Sequence, residues 1–449
     1  MDASGQTKAI RVAVRVRPLL PSDGATEHSL LQLDPARPNE VLLASGNDRR
    51  TARRYTFDQV LGPDVAQEYV YQKVAVSDMV AAVVKGYHST IFAYGQTGSG
   101  KTYTMEGYRY VSPSHASVSG GKPSAGSAGI RGGAAGKAAT TAAPQADFAA
   151  TPDEQLGLTP RAVRELYMAA SRDHRRRFQI RCSFVQIYRE QVYDLLNPVT
   201  LSGLPGGGSN APRRPGSGSG TGGPLRMRWT QQEGFYLDNL LMPEVESAEE
   251  AISAFQMGVG NKVMSSHRLN ASSSRSHCIF TLYVASAPLE SPLEQRTAKF
   301  TLVDLAGSER SAHTGATEGA LRDESVAINK SLFTLRQVIT ALTDSTATTA
   351  AAAAAGAPPP HVPYRDSKLT CLLKHSLGGS SLTLMVACLS PADRFLEENA
   401  STLDYAARAR KIANQVTVNE DPRSRLIREL RAEVAFLRQQ LEAAGVATG

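Results

Sequence analysis

Cysteine is scarce, four residues in 449 at Cys182, Cys278, Cys371 and Cys388, with no C-x-x-C pair. Such spacing argues for reduced thiols and an intracellular chain. No stretch approaches 18 consecutive apolar residues, and the opening MDASGQTKAI carries charge where a signal peptide needs an apolar run. A membrane-spanning or secreted protein is therefore not expected. A strong charge excess is missing too: 49 Lys+Arg against 42 Asp+Glu leave +7, below what a dedicated nucleic-acid binder shows. An acidic protein partner fits that balance equally well. Aromatic residues make up only 6% while Ala, Gly, Ser and Pro abound, so part of the chain is not core. What remains, 41% hydrophobic over this length, suffices for one large or two ordinary domains.

Three stretches interrupt the pattern. Residues 108–156 hold too few large apolar side chains to offset the entropy of ordering and read as a disordered insertion. A second runs over 199–223. The third, 343–360, contains an alanine run closed by Pro358, Pro359 and Pro360 and reads as a loop. The segments between them are too short and too interdependent in motif content to be separate domains. We read one domain over 1–413 with long surface insertions.

Between the interruptions, strand and helix patterns alternate. Ile10–Val16, Thr90–Tyr94, Arg181–Ile187, Cys278–Val284, Phe300–Val303 and Leu382–Cys388 read as strands. Helical spacing appears over Gln67–Val84, Pro160–Ser171, Ala248–Gly258, Glu324–Leu342, Ser367–His375 and Glu398–Ala413. Interleaving of this kind predicts an α/β domain with helices on both faces of a central sheet.

Gly95-Gln96-Thr97-Gly98-Ser99-Gly100-Lys101-Thr102 fits G-x-x-x-x-G-K-[ST] and follows the apolar run TIFAY. Glycines let successive N–H groups turn onto phosphate oxygens, Lys101 reaches the outer phosphates, and the Thr102 hydroxyl can ligand Mg²⁺. Two further elements suit this cradle. Asn270-Ala271-Ser272-Ser273-Ser274-Arg275-Ser276-His277 puts hydroxyls and a guanidinium just before a strand. Asp304-Leu305-Ala306-Gly307-Ser308-Glu309-Arg310 ends the strand FTLVD, with Asp304 where a metal-linked acid sits and Gly307 able to bring its N–H close to a γ-phosphate.

Together with RVRP at Arg15–Pro18, GLTPRAV at Gly157–Val163, SFVQIYREQVYDLL at Ser183–Leu196, INKSL at Ile328–Leu332 and HVPYRDSKLT at His361–Thr370, these motifs resemble the kinesin motor domain over about 10–419, the insertions apart. The resemblance implies a three-layer P-loop NTPase with a mixed, mainly eight-stranded sheet, and ATP hydrolysis coupled to microtubule binding. By position it implies that Arg15, Arg17 and Pro18 flank the adenine, that Tyr103 stacks on it, and that Gly95–Thr102 hold phosphates and Mg²⁺. It places Ser273 and Ser274 in a first switch, Asp304, Gly307 and Glu309 in a second, and Thr102, Ser274 and Asp304 around the metal. Arg275 and Glu309 are expected to pair when the site closes and to position water molecules that relay the proton. Loss of the γ-phosphate would release Gly307 and reorient the helix Glu324–Leu342.

Microtubule contacts implied in the same way are Arg310, Lys330, Arg365, Lys368 and Lys374. Two departures from the family point away from tight or highly processive binding: 343–360 carries Asp344 and no Lys or Arg, and Cys371 stands where a larger, often basic residue is usual. After the core, residues 414–422 resemble a kinesin neck linker, with Asn419 as its latch, which by analogy implies a plus-end-directed motor in the cytoplasm. In 423–449, Ile427, Leu430, Val434, Leu437 and Leu441 have the a/d spacing of a coiled coil, about two heptads. Two readings stand there, the start of a homo- or heterodimeric coiled coil and a helix packed on the motor's own surface. The alternatives to a motor are a microtubule-binding adaptor with a slow nucleotide site and a microtubule depolymerase. Cargo is not encoded in anything recognisable.

Overall fold

The computed structural model describes residues 6–24, 30–45, 48–111, 145–148, 150–197, 199, 223–231, 234–268, 273–309, 330–344, 361–420 and 422–443. Its centre is an eight-stranded sheet in the order Gln191–Asp194, Arg176–Tyr188, His277–Pro288, Arg296–Asp304, Ser89–Tyr94, Leu382–Leu389, Arg11–Val16 and Gln59–Leu61. The first four strands form an antiparallel series, and from Arg296–Asp304 onward all neighbours are parallel. Five parallel strands thus end on one edge, where the chain leaves for the P-loop, for Leu305 and for Ser390.

Alternation decides which face each side chain serves. Along Ser89–Tyr94, Ile91 and Ala93 enter one core while Phe92 and Tyr94 enter the other. The first core is completed by Gln67–Lys73, Val76–Val84, Leu158–Arg172 and Ala248–Arg268, the second by the helix over 330–344, Lys368–Leu372 and Leu396–Ala409. A strand covered on both faces loses its polar alternation, which is why TIFAY reads as an unbroken apolar run.

Several expectations are corrected. The helix expected over Gln67–Val84 is two helices, Gln67–Lys73 and Val76–Val84, divided at Ala75 in the left-handed conformation (φ +55°). No glycine or proline marks the break, and Val70, Val74, Met79 and Val83 all remain in the core across it. The helix begun at Ala248 runs to Arg268, beyond Gly258, and that begun near Ser367 is only Lys368–Leu372. The first insertion is ordered at both ends. Arg109–Val111 pairs antiparallel with Gln145–Asp147, and Tyr108 packs edge-on against Phe148 at 4.8 Å. Gly107 (φ +79°) closes this stem, since a Cβ there would lie 2.1 Å from the Gln155 carbonyl. The third stretch opens in helix, through Asp344. Residues 112–144, 200–222 and 345–360 lie outside the described residues.

Candidate active site

The cradle is built where Ser89–Tyr94 ends. Gly95 (φ +147°), Gly98 (+76°) and Gly100 (+97°) take backbone conformations that side chains rarely adopt. At Gly95 a Cβ would also stand 2.3 Å from the Cys388 carbonyl of the neighbouring strand. Gly100 caps the short helix Lys101–Met105. Lys101 is buried, donates to the Gln96 carbonyl at 2.8 Å, and has its pKa lowered by burial, against which Asp304 and Glu309 act. A desolvated lysine on a lone carbonyl is a cation that gains by meeting an anion.

Across the parallel pair, the Thr102 hydroxyl donates to Asp304 Oδ2 at 2.6 Å. Lys262 reaches the same oxygen at 3.3 Å and Glu106 at 2.9 Å, forming a buried network. Lys262 was not a candidate from sequence. The available signal was its place on the apolar stripe of Ala248–Arg268, in helical register with buried Phe255 and Val259. Asp304 Oδ1, Ser99 Oγ and both polar atoms of the Gln96 amide are buried without a hydrogen-bond partner. Buried polar groups left open beside a desolvated lysine fit a polyphosphate. No group of three acidic, His or Cys side chains placed to hold a metal ion by themselves exists among the described residues. A metal here fits the Mg²⁺ pattern, held by a hydroxyl, a carboxylate and phosphate oxygens.

The segments around Ser274 and Gly307 meet beside the cradle. Gly307 N–H donates to the Ser274 carbonyl at 2.8 Å, and Ser308 N–H to the Gly95 carbonyl at 3.1 Å. Glu309 accepts from the backbone N–H of Thr97 at 2.8 Å and from the Thr97 hydroxyl. The carboxylate is thus on the P-loop rather than in the arrangement with Arg275 expected of a closed site. Ser273–Arg275 form a 3-10 turn, with Ser274 and Arg275 half-buried. His277 Nδ1 accepts from Ala306 N–H at 3.0 Å, so Nε2 carries the proton it donates to Ser331 Oγ at 2.7 Å. Burial pulls His277 down to about 3, which fixes it as neutral. One imidazole therefore joins Ala306, in the segment after Arg296–Asp304, to the helix over 330–344.

Beside the cradle, buried Arg15 donates to Gln67 at 2.7 Å and Thr104 at 2.9 Å, with its guanidinium 5.3 Å from the Tyr103 ring centroid. Tyr103 and Pro18 are exposed. Arg17 is more committed: it donates to the Gly98 carbonyl, to Ser390 at 2.9 Å and to both oxygens of Asp23 at 2.6 and 2.9 Å. The hydrogen bond from Arg17 holds the Asp23 carboxyl at about 2. Asp23 gives no signal in the sequence, because only the fold brings it to Arg17.

The kinesin motor domain family model matches residues 15–412. The chain belongs to the kinesin motor family. It is 33% identical to mouse "Kinesin-like protein KIF21B" over 96% of this chain and 24% of that protein. It is 34% identical to Xenopus laevis "Kinesin-like protein KIF11-B" over 97% of this chain and 35% of that one. The chain thus spans a quarter to a third of these relatives. A solved structure, "Structure of a fast kinesin: Implications for ATPase mechanism and interactions with microtubules", superposes with TM-score 0.69 at 28% identity, covering 92% of this chain and 94% of that one. Kinesin motors are ATP-hydrolysing enzymes.

Of the cationic candidates, three come from the segment 361–374 and one from the helix over 330–344. Lys330, Arg365 and Lys374 are exposed. Arg365 lies 6.0 Å from the Trp229 ring centroid, and Lys374 lies 5.9 Å from those of Phe235 and Tyr364. Trp229 and Phe235 come from the hairpin Met227–Thr230 and Gly234–Leu237, which sequence reading left unassigned, and Tyr364 from the turn Tyr364–Asp366. Lys368 is half-buried; its N–H donates to Glu190 at 2.8 Å, and Glu190 holds a left-handed backbone (φ +57°) at the tip of another hairpin. Arg310 lies outside the described residues. Cys371 is buried with Sγ 3.2 Å from the Tyr364 carbonyl, and burial pushes its thiol up to about 11. Cys371 is therefore an interior position.

Residues 414–420 run along the opposite edge of the sheet. Ala413–Val416 pairs with the N-terminal strand Gln6–Ala9, Val418 bridges to Tyr87, and Asn419 donates to the Gly86 carbonyl through its backbone at 2.9 Å and its side chain at 3.2 Å. The Asn414 amide is buried and makes four hydrogen bonds, to Gly378 N–H, Ser376 O, Ser381 O and Thr383 Oγ1. No helix among the described residues is long and apolar enough to cross a membrane.

Proposed function

We propose that this chain is a microtubule-stimulated ATP hydrolase that moves toward the microtubule plus end. The observation that carries the reading is the strand Ser89–Tyr94. Its C-terminal end opens the phosphate cradle and its N-terminal end, through Gly86 and Tyr87, seats residues 414–420.

ATP is the substrate, and Lys101 leaves the Gln96 carbonyl to bind its outer phosphates. Thr102 and Asp304, with Ser274, would hold Mg²⁺, which when bound would supply positive charge against that developing on the phosphates. Gly307 N–H, now on the Ser274 carbonyl, is the donor for which a γ-phosphate oxygen competes. Glu309 exchanges Thr97 for Arg275 as the switches close, and the pair positions water molecules that relay the proton as water adds to the γ-phosphorus and the bond to ADP breaks. Preorganised positive charge at Lys101 stabilises the phosphates as they react. Movement of Gly307 reaches the helix over 330–344 through Ala306, His277 and Ser331, and so reaches Lys330. Exposed Lys and Arg on that side suit the acidic microtubule surface. Residues 414–419, seated as a short strand, give the displacement its direction.

The test is steady-state ATPase with and without polymerised microtubules, followed by gliding on polarity-marked microtubules. Stimulation of at least tenfold and plus-end-directed movement are expected. Microtubule binding with flat turnover would overturn the motor reading in favour of an adaptor.

A further inference from the structure

Beyond the residues assigned to a neck linker, the helix Pro422–Ala443 is fastened to the body of the protein at a place the family motifs do not mark. Ser424 is 5% exposed. Its hydroxyl donates to the Leu293 carbonyl at 2.6 Å and accepts from Gln295 N–H at 3.0 Å, both in the turn between His277–Pro288 and Arg296–Asp304. Seven residues on, Arg431 donates to Ser291 Oγ at 3.0 Å and to Glu294 Oε1 at 2.8 Å in the same turn. Seven residues are close to two helical turns, so both side chains leave one face of the helix. Just before the helix, Glu420 bridges to Arg296, and Thr297 N–H donates to the Asn419 carbonyl at 2.8 Å. The half-exposed Leu426, Leu430, Val434 and Leu437 fall on a different face, so this seat leaves the apolar stripe open.

We propose that Ser424 and Arg431 are positioning residues that seat the neck helix on its own motor domain, and that this seat completes docking of residues 414–420. The inference rests on the motor reading above. Ala413–Val416 pairs over only four residues and is followed only by isolated bridges at Val418 and Glu420, a thin ladder that frays from its C-terminal end. An anchor beyond that end closes the segment at both sides, leaving little loop to order. The two bonds of buried Ser424 outweigh the exposed Arg431–Glu294 pair, since such pairs contribute little in water. Beside Ser424 lies a cavity of about 30 Å³ lined by Arg176, Pro288 and Glu420, room for one small group. A threonine therefore keeps the hydroxyl and has space for its methyl.

The experiment places spin labels at Leu289→Cys on the turn and Phe436→Cys on the helix, which are 60% and 58% exposed, while all four native thiols are buried. Distances are measured with a non-hydrolysable ATP analogue on microtubules, and stimulated ATPase is followed in parallel. The Ser424→Ala variant is expected to lower the ratio of short to long distances about tenfold, the equivalent of two net hydrogen bonds. Ser424→Thr is expected to restore it. Glu294→Arg with Arg431→Glu should recover a two- to threefold loss seen in each single variant. Stimulated ATPase should stay within twofold throughout. An unchanged distance ratio in Ser424→Ala, or an equal loss in Ser424→Thr, would overturn the seat. Absence of microtubule stimulation in the unsubstituted chain would overturn the motor reading instead; the distance comparison needs no turnover and still decides the seat.

Discussion

The two ends of the strand Ser89–Tyr94 are finished in opposite ways. At the nucleotide end Lys101 is desolvated, and the Gln96 amide, Ser99 Oγ and Asp304 Oδ1 are buried without partners. At the neck end Asn414, Asn419 and Ser424 are each bonded by the chain itself. Unsatisfied buried groups cost stability and persist where a ligand completes them, whereas satisfied ones stabilise what is already present. The contrast supports the proposed reading, in which one edge receives a nucleotide and the other this protein's own C-terminal segment, His375 Nε2 being the unpartnered group at that second edge.

The sharpest way to test that contrast is Lys101→Ala. Turnover should fall at least about a thousandfold, to background, because the main positive charge on the outer phosphates is gone. The ligand-free melting temperature should hold or rise, since a buried, poorly partnered cation is removed; calorimetry without nucleotide checks this. At the other edge, Asn414→Ala leaves several buried groups open. It should cost about 3 kcal/mol, a drop of several degrees in Tm, with basal ATPase per folded molecule nearly unchanged. A large loss of basal turnover there would break the division between the edges.

Acid should weaken the neck end by a smaller step. His88 is pulled down to about 3 by burial, with Lys299 adding to the effect, and burial pulls His375, whose ring lies 5.8 Å from that of His88, well below its usual value. Their folded pKa values lie below the unfolded one. The stability is therefore fully present above about pH 6.5 and is lost as the unfolded chain takes up protons on acidification toward pH 3. His88→Asn should flatten the fall of stability between pH 6 and 5 by about 1 kcal/mol per pH unit, read from denaturant midpoints. The smallest effect is expected from halving the stretch 112–144 between the paired strands Arg109–Val111 and Gln145–Asp147. Stability should change by about 0.6 kcal/mol, read from denaturant midpoints, and kcat should stay within twofold, since loop length enters closure entropy only logarithmically.

The P-loop, both switch motifs and the central strands were legible because each is a local pattern: glycines at fixed offsets, an acid at a strand end, an apolar run covered on both faces. The break at Ala75 was illegible because apolar spacing passes through it undisturbed. The stem around Tyr108 and Phe148 was hidden by the low-complexity sequence beside it, whose composition swamped two anchoring rings. Lys262 and Asp23 escaped because their partners stand 42 or more and six residues away, respectively, and nothing in either residue's neighbourhood names a partner.

By itself the sequence determined the family, the nucleotide cradle and the residue types around it, since the backbone conformations and charges required there are properties of the residues themselves. Only the tertiary structure decided which of those groups are now engaged with one another. Gly307 on Ser274, Glu309 on Thr97, His277 between Ala306 and Ser331, and Ser424 in its turn are contacts between segments distant in the chain. Such pairings depend on how two faces of one sheet are packed, and no local pattern encodes that.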